Sequence, residues 1–327
     1  MDSLTQAALG AAAVMALGPR RLGPGRWMAG ALGGLAADLD MLFEAAADPL
    51  LGLRFHRHFT HALAFIPLGG LVAALPLLVR ATARKHAKWL VVATTVGYAT
   101  HAPLDALTSY GTVLAWPWSE RRFALDWLSI VDPLVTLALI IGVVLSVRRD
   151  SVRPARAALL AVLAYVAVGA GQHHRARQAV EELARSRAQV PQRVRVFPLV
   201  MSNMRWRGLY EYDGRVYAAA VTAPWWGEAT VDAGGSTELF ASAQWPAALQ
   251  DADCVREALT LYTWFADGWL ASLPDQPHSI GDVRYSRSPA AFEPMWALRF
   301  DARARECVEL VPMRPTVGEV WRSLRRE

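Results

Sequence analysis

Apolar positions crowd the first half of the chain into six runs, at residues 4–17, 27–47, 60–79, 89–107, 128–147 and 157–171. A helix rises 1.5 Å per residue, so crossing about 30 Å of hydrocarbon takes about 17–25 residues. The four middle runs reach that length and the outer two fall short. This pattern predicts an α-helical integral membrane bundle of five or six spans over residues 1–172. Beyond residue 193 the period shortens to that of strands, at 193–197, 208–212 and 215–222, with Asp213-Gly214 as a hairpin turn. Further strands are predicted at 282–286, 295–300 and 308–311, and an amphipathic helix at 253–273. Together they make a small α+β soluble domain over 193–327, joined to the first part by a charged helical connector at 173–192.

Charge sharpens the division. The 327 residues carry 34 Lys+Arg against 29 Asp+Glu, and the whole net charge of +5 falls in residues 1–172, which hold 15 basic and 10 acidic side chains. Residues 173–327 hold 19 of each. With 54% hydrophobic residues and a mean hydropathy of +0.20, the composition excludes a disordered chain and points to a membrane protein. Three connecting segments are basic: Arg20, Arg21 and Arg26; Arg80, Arg84, Lys85 and Lys88; Arg148, Arg149, Arg153 and Arg156. Alternate connectors lie on one side, which the positive-inside rule makes cytoplasmic. The charge therefore speaks of membrane orientation, and nucleic acid is not expected as a partner. The predicted location is a cytoplasmic (inner) membrane, crossed several times.

The opposite side collects Asp38, Asp40, Glu44, Asp48, His56, His58, His61, His101, Asp105, Glu120, Asp126 and Asp132. Ionisable groups within or beside apolar segments are costly and by default functional. His101 and Asp105 are four apart and share a helical face. Carboxylates and imidazoles converging from several helices are what Zn²⁺ or another divalent ion needs, since ligands at about 2 Å must arrive from different directions. Taken singly, each piece has a plainer reading: Asp38 and Asp40 as a helix end, His58 as a surface residue, Asp126 and Asp132 as caps. It is the clustering on one side that favours metal. Cys254 and Cys307 cannot make a disulfide framework, and at most form one bridge.

The motifs Met1-Asp-Ser-Leu-Thr-Gln-Ala-Ala-Leu-Gly10, Ala37-Asp-Leu-Asp40, His56-Arg57 with Thr60-His61, His101-x-x-Leu-Asp105-x-Leu-Thr-Ser-Tyr-Gly111-Thr and Ile130-Val-Asp132-Pro133 resemble the YdjM family of membrane-bound metal-dependent hydrolases, in its YfhP-type form with an extra C-terminal domain. The resemblance covers roughly residues 1–170. It implies a distant likeness to zinc-dependent phospholipases C and single-strand nucleases, one to three metal ions, and ligands at Asp38, Asp40, His56, His61, His101 and Asp105. Ala37 stands where the family usually has Pro, and His58 where it usually has Gly, adding a further potential ligand.

The expected chemistry is metal-assisted hydrolysis of a phosphoester or lipid-linked substrate at the outer face of the membrane. Asp40 or Asp132 would accept a proton from water. Arg57 would hold a phosphate or orient a carboxylate, or else snorkel to the headgroups. Thr108 and Tyr110 are open to substrate contact, although a Tyr near an interface is more often an aromatic-belt residue. Two other classes fit the same residues: a metal- or proton-coupled transporter, and a non-catalytic membrane scaffold or sensor.

Overall fold

The computed structural model describes residues 1–18, 25–43, 49–79, 84–273, 276–303 and 307–312. Arg20, Arg21, Glu44, Asp48 and Arg80, which entered the charge pattern, lie outside them. The first part comprises helices α1 (Ser3–Leu17), α2 (Arg26–Ala36), α3 (Pro49–Phe55), α4 (Ile66–Leu78), α5 (Ala87–Ala106), α6 (Pro133–Arg148) and α7 (Arg153–Ser186). A 3-10 segment, Ala37–Phe43, follows α2.

The expected bundle of five or six spans is not what forms. Among the described residues one helix, α7, is long and apolar enough to cross a membrane, and a second crossing exists only if the pair Leu50–His61 and Leu63–Leu78, bent by 62°, counts as one. The reason lies in where the apolar runs break. The run at 27–47 gives 11 helical residues and then a 3-10 turn. That at 60–79 begins in short 3-10 turns before the 13 residues of α4. Helices α1 and α6, of 15 and 16 residues, extend only about 22–24 Å at 1.5 Å per residue. Helix α5 reaches 20 residues but carries Thr94, Thr95, Thr100, His101 and Asp105.

Small residues within the apolar runs, alanine and glycine, bring helices into contact with one another. A side chain at Gly34 would stand 2.4 Å from the Gln6 carbonyl oxygen, and one at Gly97 would stand 2.1 Å from that of Gly30. Only glycine lets α1, α2 and α5 approach this closely. The same contact delivers the Gly34 carbonyl to His101.

These helices share a direction of charge. Arg26 approaches Asp150 at 3.9 Å, and the Arg156 guanidinium donates to the Ala16 carbonyl at 3.0 Å. The basic ends of α2, α6 and α7 therefore gather beside the C-terminal end of α1. At the other end lie Met1, Asp38, His101 and Asp105.

Helix α7 runs unbroken through the expected connector to Ser186. Its second half lays Ala176, Val180 and Ala184 on Val196, Trp206, Tyr210 and Val221 of the first of two antiparallel sheets. That sheet has the order β1 (Arg193–Pro198), β2 (Arg205–Tyr212), β3 (Arg215–Thr222), β4 (Thr230–Glu238). Tyr212 pairs with Arg215 across the Asp213-Gly214 turn, both of whose residues have positive φ. This is the geometry a tight hairpin requires.

After α8 (Ala247–Gln250) comes α9 (Asp253–Phe265), and then the second sheet, β5 (Leu270–Ser272), β6 (Ser279–Asp282), β7 (Trp296–Phe300) and β8 (Val308–Pro312). Helix α9 stops eight residues before the predicted end, because Asp267 and Gly268 take left-handed φ and turn the chain into β5. The strand expected at 282–286 ends at Asp282, whose carboxylate ties back Arg284 at 2.6 Å. Strand β4, with Gly234-Gly235 at its centre, was not anticipated. A disulfide joins Cys254, at the start of α9, to Cys307, just before β8. Leu50, Leu53 and Tyr110 of the first part pack on the core beneath α9.

Candidate metal centre

Four side chains meet where α2, the turn after α3, and α5 converge: Asp38, His61, His101 and Asp105. The Nε2 atoms of His61 and His101 are 3.0 Å apart. Asp105 Oδ2 lies 3.3 Å from each. Asp38 Oδ1 is 3.2 Å from His101 Nε2 and 3.8 Å from His61 Nε2. Four ligands at about 2.0–2.1 Å from one tetrahedral ion stand roughly 3.3–3.4 Å from each other. The observed separations bracket that value.

Proton placement makes the same point. The outer nitrogen of His101, Nδ1, faces the Gly34 carbonyl. A carbonyl only accepts, so that nitrogen carries the hydrogen. His61 Nδ1 faces the Asp40 carboxylate at 3.2 Å and carries its hydrogen by the same rule. In the neutral rings both Nε2 atoms then turn lone pairs inward, beside two carboxylate oxygens. Two protonated rings would press N–H against N–H at 3.0 Å, so at most one shared proton fits. Two negative charges and two lone pairs around one small volume call for a divalent cation. Asp105 Oδ2 is, moreover, fully buried and accepts no hydrogen bond. The residues fit a metal ion.

The supporting contacts divide each carboxylate between two tasks. Asp105 Oδ1 accepts from the Met1 amino group and from Gln6 Nε2 at 2.9 Å, and Arg57 Nη2 stands 3.3 Å away. Its Oδ2 is left to the centre. Asp40 stands behind His61: its Oδ2 accepts from the Arg57 amide at 2.9 Å and the Thr60 hydroxyl at 3.0 Å, and its Oδ1 meets His56 Nδ1 at 3.1 Å. Burial alone would raise the carboxyls of Asp38 and Asp40. The imidazoles of His101 and His61 beside the first, and of His56 and His61 beside the second, outweigh it and hold both well below the usual carboxylate range.

Of the residues singled out from sequence, Asp38, His61, His101 and Asp105 are thus brought together. Asp40 and His56 form the layer behind them. The segment His56–His61 is not a simple helix: Arg57 has φ 59° and a 3-10 turn, Phe59–His61, follows. His56 and His61 therefore point differently. Arg57 is buried and does not snorkel; its Nη1 donates to Thr108 Oγ1 at 3.1 Å, and its guanidinium lies 4.9 Å over the Tyr110 ring. His58 stands apart, on a cleft of about 800 Å³ shared with Arg54 and Trp264. Gln6 and the Gly34 carbonyl were not anticipated, although the helix contact that places them is marked in sequence by Gly10, Gly30 and Gly34.

Asp132 also stands outside the group. Its Oδ1 caps α6 at the amides of Leu134 and Val135, 3.1 and 3.4 Å away. Its Oδ2 accepts from the Tyr165 hydroxyl at 2.8 Å. Asp132→Ala is accordingly expected to cost about 1 kcal/mol of stability, the usual worth of an N-cap, seen as a lower Tm, and to leave metal content unchanged.

Residues 1–176 match the model of the family described as YdjM inner membrane protein. The chain is also similar to the inner membrane protein YbcI of Escherichia coli (strain K12), 30% identical over 135 residues, which is 38% of this chain and 72% of that one. No solved structure matches.

Proposed function

We propose, on the premise that this chain belongs to the YdjM family of inner membrane proteins, that it is a metal-dependent hydrolase of a phosphoester borne by a lipid or lipid-linked molecule. The observation that carries the reading is the inward-facing donor set of Asp38, His61, His101 and Asp105. Two imidazoles and two carboxylates suit Zn²⁺ best among common divalent ions. Held by Asp38, His61, His101 and Asp105, such an ion would lower the pKa of water toward 7 and supply Lewis acidity to a phosphoryl group.

The chain's own residues supply the rest. Gly34 and Asp40 fix the tautomers of His101 and His61, so that both offer lone pairs. Asp40 is itself held by His56 Nδ1 at 3.1 Å, by the Arg57 amide and by the Thr60 hydroxyl. Asp40 thus acts as a positioning residue. Arg57 ties Asp105 to the Tyr110 wall and brings positive charge beside the group to be cleaved.

A lipid substrate is favoured by what surrounds Asp38, the most exposed of the four ligands. Leu39 is 58% and Leu42 73% exposed, and Met41 and Leu63 are exposed beside them. Support for an extracytoplasmic site comes from the Cys254–Cys307 disulfide, since such bonds persist in oxidising compartments, and from the basic residues at the opposite helix ends.

The full chain in detergent, loaded with Zn²⁺ and offered phospholipids and undecaprenyl phosphate, is expected to release the phosphorylated or dephosphorylated product. Bound metal with no hydrolysis across this panel would favour a transporter or sensor instead.

A further inference from the structure

The segment between α5 and α6 folds back on itself through a bridge of Thr112 with Phe123 and carries Arg122 beneath Tyr110. There Arg122 Nη2 donates to the carbonyls of Gly111, at 2.7 Å, and Tyr110, at 3.3 Å. Gly111 has φ 92°, and a side chain there would stand 3.1 Å from Arg122 Nε. The guanidinium carbon lies 5.0 Å from the ring centres of Trp264 and Phe265 and 5.3 Å from that of Tyr110. Arg122 Nε and Nη1 are shielded from solvent and have no hydrogen-bond partner.

Buried arginines elsewhere in this chain are neutralised. Arg284 is bound by Asp282 at 2.6 Å, and Arg195 by Asp126 at 2.9 Å. Among the described residues no carboxylate pairs with Arg122. Aromatic rings attract the charge but accept none of these in-plane N–H bonds. Burial, with Arg284 and Arg57 nearby, lowers the Arg122 pKa to about 10, so the group remains charged at neutral pH.

Arg121, Arg122, Arg195 and Arg284 line one cleft of about 380 Å³, in which Asp267 is the acidic lining residue and lies 3.6 Å from Arg195. Tyr110 divides this cleft from the metal centre: Arg57 lies over the same ring as Arg122 and contacts Asp105. With Nη2 given to the two carbonyls, Arg122 keeps its charge and one N–H each at Nε and Nη1, which point to different sides of the guanidinium and favour an anion by charge and single hydrogen bonds.

We propose that this cleft is an anion subsite that takes a phosphate group, so that the substrate carries a phosphate in addition to the one at the metal centre. The assignment of that phosphate to a substrate rests on the hydrolase reading; the binding itself does not.

Titration calorimetry of the full chain with inorganic pyrophosphate tests it, in a His101→Ala background that removes a metal ligand. Binding is expected there, weakened at least about tenfold by Arg121→Glu, whose side chain is exposed, and by Arg122→Lys, which keeps the charge but loses the planar set of N–H donors. Arg121→Glu should melt at the parent temperature, which keeps the test valid if Arg122 variants fold poorly. Competition by vesicles containing phosphatidate would assign the phosphate to a lipid headgroup, and competition by a soluble phosphomonoester alone to a soluble one; either supports the subsite. Absent binding, or equal binding in Arg121→Glu, would overturn it. Loss of binding on His101→Ala alone would place the anion on the metal centre and overturn it equally. Hydrolysis without pyrophosphate binding would sink the subsite alone, and binding without hydrolysis the hydrolase reading alone.

Discussion

His101→Ala is expected to reduce bound metal from about one ion per chain to background and hydrolysis by about a thousandfold or more, the scale on which bound-water activation operates. The size follows from position. His101 Nε2 is within 3.3 Å of Asp105, Asp38 and His61 alike, so its removal leaves three donors and opens one side of the centre. It also releases the Gly34 carbonyl, a buried acceptor between closely packed helices whose lost partner costs about 1–3 kcal/mol. Asp38→Asn separates the two effects, because Asp38 is the most exposed of the four, whereas Asp105 also compensates the buried Met1 amino group and Arg57. It keeps shape and burial, so metal loss with an unchanged Tm assigns the effect to the donor set. Full metal content in both variants, read by elemental analysis of the purified chain, would remove the site from consideration.

Asp40→Asn carries the second large effect, although Asp40 offers the ion no atom. Its carboxylate fixes the hydrogen of His61 on Nδ1 and holds His56, the Arg57 amide and Thr60 in one turn. An amide presents one acceptor where the carboxylate presents two, and its NH₂ confronts either an imidazole N–H or a backbone N–H. Second-layer carboxylates of this kind are worth about 10–100-fold in metal affinity. A metal titration of that magnitude, with secondary structure intact, is the expected outcome. Unchanged affinity would mean that His61 keeps its tautomer without Asp40.

How far these features could be read from sequence depended on how local they are. The pairing of His101 with Asp105 follows from four-residue spacing on a helix, and α5 forms where that spacing implied. The hairpin at Asp213-Gly214 is equally local, and β2 and β3 pair as expected. The choice between His56 and His61 as a ligand was not legible, because it turns on the left-handed φ of Arg57 and the 3-10 turn after it. The number of spans failed for a different reason. Hydropathy counts Ala11 and Ala12 as apolar whether they face lipid or another helix, and here they are buried against neighbouring helices, while Gly30 and Gly97 allow close backbone contact. Nor does it see the helix yield to 3-10 geometry at Ala37, which is what turns Asp38 and Asp40 to different neighbours. Arg122 had no local signature, since its isolation depends on residues more than 140 positions away.

X-ray absorption at the edge of the bound metal, on the purified full chain, tests the central claim most directly. Two imidazoles and two carboxylate oxygens at about 2.0–2.1 Å are predicted, with the imidazole signal reduced by half in any His101→Ala protein that retains an ion. A metal shell without imidazole, or a chain that holds no divalent metal after loading, would contradict the account.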